Sequence, residues 1–471
     1  MTFAQYAVQS VANARVLVQL DIAIPNEQWV NNGAGLWAVN TDNLYSWVDS
    51  SLLDGFTAQN FAAIGSVHVD GVLQQDATSM ALLVPLTETF WYDDAGTLWV
   101  HLINHDEPSL HDIWIGVIYG YSFDEFTPVG AEQVYEGRLL GTPIISKRRD
   151  PLYFGKLVFG GGTITLANGD GDLDSWAADN NIYGNPVRIY LGYDGLDISE
   201  YQRLYTGYIG RVAVSETDLS IQVQDKRKQL TAPITYACTA LNALDAIVAI
   251  LTTNYNIVYN ATYFDTTAWD AAQASVETVT LNMQSPAPTI DVIQGICASV
   301  FGVFYVTSDD RFSFRRIDTT VTSATAIADA DIRNQHRLTY DPTEVISSAR
   351  IGYARDWATN GTQYTYVTNT TYEASVFNTY KTYNERTFDT YLHAVTAATA
   401  YGETLMVYAK DVHGTFELDL PMAYYVREIG ETVDVPIRRA TTAMIATAKS
   451  EIIDVRYDLS GPSMALGLRI V

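Results

Sequence analysis

The sequence predicts a mainly β protein with an α+β insertion, and three observations carry that expectation. Short runs rich in Val, Ile, Thr and Tyr recur with Gly, Asn and Asp between them. Two stretches break the pattern by repeating their apolar residues at helical spacing. The 31 glycines, 14 prolines and 31 tyrosines among 471 residues suit many strands and turns better than a helical bundle. With 48% hydrophobic and 12% aromatic content the chain can bury real cores, which excludes disorder. Its length allows about three domains of ordinary size.

Four segments follow in chain order. Residues 1–135 form an N-terminal β-rich domain. There Arg15 to Ile24 is nearly continuous Val, Leu and Ile, and Met80 to Pro85 is apolar. The turn Asp93-Asp94-Ala95-Gly96 separates Trp91-Tyr92 from the run Leu98 to Ile103 and predicts a hairpin. Residues 136–232 hold Leu157-Val158-Phe159, Thr163 to Leu166, Val187 to Leu191, Leu204 to Ile209 and Leu219 to Val223. Turn signals about every ten residues there fit a small barrel or a sandwich.

Residues 233–344 change period and form an α+β domain. Leu241, Leu244, Ile247, Val248 and Leu251 predict one helix, and Ile290, Ile293, Cys297, Val300 and Phe301 a second. Gly302 is the expected terminator of the second, because it is free to take positive φ. Val303 to Thr307, the turn Ser308-Asp309-Asp310 and Phe312 to Ile317 then read as a hairpin. Residues 345–471 return to strands, from Val345 to Tyr353, at Thr415 to Leu420 and at Thr432 to Val435. An Ala-rich helix is expected around Ala394 to Lys410, and a closing hairpin pairs Ile452 to Tyr457 with Ala465 to Val471 across Leu459-Ser460-Gly461-Pro462.

The charge is one-sided: 28 Lys+Arg against 54 Asp+Glu give −26. Gripping duplex DNA needs clustered cations, so this balance argues against it. No Lys or Arg occurs from Val16 to Gly137 or from Gln229 to Asp310. Between these stretches lie the basic islands Lys147-Arg148-Arg149 and Lys226-Arg227-Lys228. They read as solvated loop charge or as docking points for acidic partners and neighbouring subunits. Cys238 and Cys297 are too few for a disulfide framework and suit a reducing compartment. The N-terminus shows no secretory pattern, and no stretch approaches the ~20 apolar residues of a membrane helix.

Signatures of catalysis fail one by one. Gly155-Lys156 is followed by Leu157 and preceded by Asp150 where a phosphate loop needs its first Gly. No nucleophile elbow and no zinc-protease helix occur. His101, His105 and His111 fall on a strand and loop, not on one helical face, and read as surface or structural histidines. Asp170, Asp172 and Asp174 alternate as calcium-loop carboxylates do. Ser175 and Asn181 replace the required Gly and Glu, so a turn is the better reading. Acidic pairs such as Asp93-Asp94 and Asp124-Glu125 are expected by chance among 54 acids. No catalytic, cofactor-binding or metal residue is assigned, and the chain reads as a non-enzyme.

Several phrases resemble the tail hub, or baseplate hub, proteins of tailed bacteriophages. YEGRLLGTPIISKRRDPLYFGKLVFGGGTITLANGDGDLDSW, VRIYLGYD, LYTGYIG and IQVQDKRKQL look like the first barrel of such hubs. LNALDAIVAILTTNYNI and TIDVIQGICASVFGVFYVTSDDRFSFRRI are similar to the family's inserted α+β unit, and YVREIGETVDV and EIIDVRYDLSGPSMALGLRIV to the closing strands of its second barrel. The resemblance spans about 136–471, while the first 135 residues match only loosely the N-terminal regions of long-tail phage tip proteins.

The resemblance implies two hub-type β-barrels, 136–232 and 345–471, flanking the α+β domain 233–344. In a homotrimer the two related barrels give a ring that continues the six-fold tail tube, with a channel through which phage DNA passes without specific binding. The expected partners are distal tail or tail tube proteins, the tape measure protein and other tail-tip or fibre proteins. The expected location is the virion tail tip or baseplate, after assembly in the bacterial host cytoplasm, with no cofactor and no membrane span. No lysin, peptidase or receptor-binding extension is expected, because the chain stops at Val471. Two other readings stand beside it: a distal tail adaptor ring or adhesin, and a secreted carbohydrate-binding or glycosidase β protein whose aromatics stack on sugars.

Overall fold

The structure is a computed structural model that describes residues 14–25, 30–31, 36–40, 64–69, 72–73, 75–76, 89–92, 97–101, 113–131, 134–141, 144–149, 157–158, 160–174, 182–317, 325–357, 363–439, 442–459 and 463–471. Met80 to Pro85, the turns at 93–96 and 460–462, Gly155-Lys156, His105 and His111 lie outside the described residues. The chain packs as two compact units, Met1–Pro143 with Gly162–Gln224, and Ile144–Gly161 with Asp225–Val471. Each is built on a nine-stranded sheet that curls into a half-barrel. The mainly β class with an α+β insertion is what the sequence predicts.

In the first unit, the segments Gly161–Ala167, Pro186–Tyr193, Gln202–Val214 and Asp218–Gln224 form strands. Alternation makes two of them one-sided over most of their length: Val187, Ile189 and Leu191 are buried, as are Leu219, Ile221 and Val223, whereas Gln202–Val214 buries four residues in succession. The same sheet takes in Ala14–Pro25, which pairs antiparallel with Pro186–Tyr193 on one side and with Ile113–Tyr121 on the other. A strand of the N-terminal segment thus supplies Leu17 and Val18 to the core of the expected first barrel. A separate five-stranded sheet contains the expected hairpin, with Trp91 opposite Trp99 and Tyr92 opposite Leu98.

The second unit carries the other nine-stranded sheet, centred on Thr442–Asp458, Ser463–Ile470 and Gly414–Pro421. The closing hairpin has the expected partners, Ile452 opposite Leu468 and Tyr457 opposite Met464. Ile144–Arg149 joins this sheet by pairing with Thr442–Asp458, so the strand carrying the first basic island belongs to the second sheet. Ser348–Asp356 does not. It forms a small sheet with Gln363–Asn369 and Glu385–Asp389, covered by the helix Val395–Ala409 through Ala398, Leu405 and Met406.

Four consecutive strands have the same order in both sheets. In the first unit Gly161–Ala167 neighbours Asp218–Gln224, which neighbours Gln202–Val214, which neighbours Pro186–Tyr193. In the second, Gly414–Pro421 neighbours Ser463–Ile470, then Thr442–Asp458, then Thr432–Arg439. The first strand of each set thus lies beside the fourth, the fourth beside the third, and the third beside the second. In both sets the third strand is the longest, 13 and 17 residues, and the third and fourth share a register shift, at Ile209/Arg211 and at Ile452/Asp454.

The α+β part contains the helices Ala243–Tyr255, Thr266–Gln273 and Thr289–Ser299 and the hairpin Gly302–Val306 with Phe312–Arg316. Asn242 caps the first helix by accepting from the Leu244 N–H, and Asn256 ends it in the left-handed region. The second expected helix stops at Ser299, and its terminator is not Gly302: the positive φ falls on Phe301. Phe301 holds that conformation because its ring is buried and stacked on Tyr401 at 4.1 Å. Gly302 is needed for a different reason, since a Cβ there would lie inside the Phe314 ring. Gly302→Ala is therefore expected to cost about 1–3 kcal/mol by overpacking a core that cannot yield. Chemical denaturation of the variant measures it. Among the described residues no helix is long and apolar enough to cross a membrane.

Candidate functional site

The charged residues singled out by the sequence are brought together as ion pairs within each unit. In the first unit Arg138, the first cation after the long acidic stretch, gathers three carboxylates. Its Nε donates to Glu136 at 2.8 Å, Nη1 to Asp170 at 2.9 Å and Nη2 to Asp172 at 2.8 Å. The guanidinium thus occupies the centre that a calcium ion would need. Asp174 is drawn elsewhere, accepting from the Asn168 amide at 2.7 Å, while Asn168 Oδ1 accepts from the Leu173 N–H. These bonds close the loop, and inside it the Asp172 N–H donates to Asp170 Oδ1 at 3.3 Å as in an Asx turn.

The cluster splits its carboxylates. The Arg138 hydrogen bond holds Asp170 down at about 2, whereas burial moves Glu136 above the usual range despite Arg138. Arg138→Gln is expected to cost about 1–2 kcal/mol at neutral pH, allowing for solvent screening at the half-exposed Asp170. Because Asp170 is held low in the folded state, its share of stability is present above the ordinary carboxylate pKa of about 4. It is lost as pH falls from there toward 2. Acid titration of stability should show that slope in the parent and a flatter one in the variant.

Most of the charge in the two basic islands of the second unit is turned inward rather than presented as solvated loop charge, with Arg148 and Lys228 left exposed. Lys147 and Arg149 share the inward face of the Ile144–Arg149 strand with Ile145, and Arg148 faces out. Lys147 Nζ donates to Glu428 at 2.7 Å. Arg149 donates to Glu451 at 2.6 Å and to the Tyr408 hydroxyl at 3.1 Å. Tyr408 donates in turn to the other Glu451 oxygen at 2.6 Å, and the Arg469 guanidinium lies 4.3 Å above its ring. All four of these side chains are buried, and burial pushes the Tyr408 hydroxyl up to about 12.

The second island sits on a 3-10 turn, Lys226–Gln229. Asp225 receives the Arg227 backbone N–H and Nε at one oxygen and Nη2 at the other, each at 2.9 Å. Burial opposes charge on Asp225, but Arg227 outweighs it and holds the carboxyl below its usual range. Lys226 reaches Asp310 at 2.8 Å and lies over the Phe312 ring. Four of the six island cations are thereby matched to carboxylates of the same chain.

Other candidates are scattered. Asp124 pairs with Arg15 at 3.4 Å, and Arg15 pairs more closely with Asp194 at 2.6 Å. Both cysteines are free thiols, and burial pushes each above its ordinary range, so neither is an activated nucleophile. The acids that complete the networks, Glu428, Glu451 and Asp310, lie 281, 302 and 84 residues from their partners. The one local signal is that Lys147 and Arg149 alternate with outward positions behind the apolar Ile145.

No protein-family model and no curated protein matches the chain. Its fold is similar to those of solved phage-type tail proteins. The prophage MuSo2 43 kDa tail protein from Shewanella oneidensis is 12% identical, with a TM-score of 0.43 over 72% of this chain and 96% of that one. A tail protein from Neisseria meningitidis is 12% identical, with a TM-score of 0.42 over 73% and 95%. The prophage tail protein gp18 from Listeria monocytogenes is 11% identical, with a TM-score of 0.39 over 69% and 94%.

Proposed function

We propose that the chain is a structural component of a phage tail tip or baseplate, three copies of which form the hub ring around the path of the DNA. The observation that carries the reading is the shared order of four strands in the two nine-stranded sheets. A trimer can meet a six-fold tube only if each subunit offers two like surfaces, and a repeated sheet supplies them. The hub phrases read as barrel strands fall mainly in the same two regions, and those of the α+β unit lie between them. The matched cations of the basic islands support passage of DNA: Lys147, Arg149, Lys226 and Arg227 each face a carboxylate, so the two cation clusters of a chain of charge −26 are largely neutralised from within. The ring works as a conduit and docking platform for tail tube, tape measure and fibre proteins, and catalyses no reaction.

Immunogold labelling of this chain on intact particles tests the location. Label confined to the tail tip is expected. Label along the tube or on the capsid would refute the reading, and so would retention of linear duplex DNA by the purified protein at physiological salt.

A further inference from the structure

On the outward face of the second half-barrel, Glu417 and Asp419 stand two residues apart on the Gly414–Pro421 strand, so their side chains leave the same side. The edge segment Asn334–Gln335 pairs with this strand, and the His336 N–H continues the ladder by donating to the Glu417 carbonyl at 2.9 Å. That register brings the imidazole over both carboxylates. His336 Nε2 is 3.1 Å from Asp419 Oδ2 and 4.0 Å from Glu417 Oε1, and the three ligand atoms lie within 4.8 Å of one another.

We propose that His336, Glu417 and Asp419 hold a divalent ion of the zinc class. Ligand bonds of about 2.0–2.2 Å around a tetrahedral ion put neighbouring donor atoms about 3.4 Å apart. The two imidazole-to-carboxylate separations bracket that edge, so rotamer adjustment suffices. Imidazole nitrogen with carboxylate oxygen is a donor set such ions accept, and water completes the fourth position. Charge agrees as well. Asp454 and Arg456 flank the site, with Arg456 at 3.2 Å from Glu417 Oε2 and 3.6 Å from Asp454. Three carboxylates, one guanidinium and a neutral imidazole sum to −2, which a dication cancels.

Neighbouring residues shape the site. Across the intervening strand Glu417 faces Gly467 and Asp419 faces Ala465, small residues that leave the face open. Arg456 donates to both Glu417 oxygens, from Nη2 to Oε2 at 3.2 Å and from Nη1 to Oε1 at 3.4 Å, and so fixes the plane of the carboxylate while Oε1 keeps a lone pair for the ion. A bound ion would add a side-chain tie between the edge segment and the sheet to the backbone bonds that Arg333 and His336 already donate to Asp419 and Glu417.

Zn²⁺ titrated by calorimetry into the full chain, after removal of metal with a chelator, tests the proposal. One ion per chain is expected, with a rise in melting temperature. His336→Ala and Asp419→Asn should each weaken binding at least about tenfold, while His393→Ala, at an exposed histidine outside the cluster, should not. Circular dichroism establishes that the variants keep the fold, which the position of both side chains on the outward face of the sheet favours. Co²⁺ gives an independent reading on the unmutated chain: intense visible bands mark a tetrahedral site. No saturable Zn²⁺ binding, binding unchanged in both cluster variants, or only the weak octahedral Co²⁺ spectrum would overturn the assignment.

Discussion

Glu451→Gln is expected to destabilise the second unit by about 3–5 kcal/mol, the cost of leaving a buried guanidinium without its counter-charge. Arg149 and Glu451 have 0% and 3% of their side chains exposed, so water cannot replace the lost contact. Glutamine keeps the shape and one acceptor oxygen but removes the charge. Tyr408→Phe should cost only about 1–2 kcal/mol, because it deletes one hydroxyl while the ion pair stays. The network joins three distant parts of the chain: the strand at 144–149, the helix ending at Ala409 and the strand at 442–458. A shift of the denaturation midpoint at constant slope would identify the loss as stability. A double-mutant cycle of Arg149→Met with Glu451→Gln should then return a coupling well above additivity error. Additive costs would show that the two side chains do not depend on each other.

Trp269→Ala should remove about 3–5 kcal/mol from the α+β part. Trp269 is 1% exposed and meets Phe264 edge-on at 5.0 Å, with Phe304 and Phe314 at 6.4 and 6.2 Å. It is the anchor by which the Thr266–Gln273 helix holds the Phe312–Arg316 strand, since that short helix has little stability of its own. Near-ultraviolet circular dichroism should lose the signal of this aromatic cluster, and the denaturation midpoint should fall. An unchanged midpoint would mean that the helix is held by something other than this packing.

Sequence reading succeeds where the information is local. Alternation at Val187, Ile189 and Leu191, and at Met464, Leu466 and Leu468, specifies a strand with one buried face. The helix over Ala243–Tyr255 is written in Leu244, Ile247 and Leu251 and in the cap at Asn242. The reading falters where a choice depends on distant chain. Nothing near Arg15 says that its strand will sit between residues 186–193 and 113–121, and nothing near Lys147 names Glu428. The cations at 147 and 149 look like surface charge until the fold supplies carboxylates from hundreds of residues away. Gly302 teaches the same lesson at short range: the glycine is legible, but the Phe314 ring that requires it becomes a neighbour only in the hairpin. His336, Glu417 and Asp419 carried no sequence signal at all, because their convergence is a product of sheet register.

If two like sheets per chain build a three-copy ring, the purified 471-residue chain assembles as a trimer, which native mass spectrometry reads without further assumption. An assembly of three times the 52.1 kDa chain mass is expected. A six-copy assembly, in which every subunit contributes one equivalent surface, would contradict it and point to an adaptor ring instead.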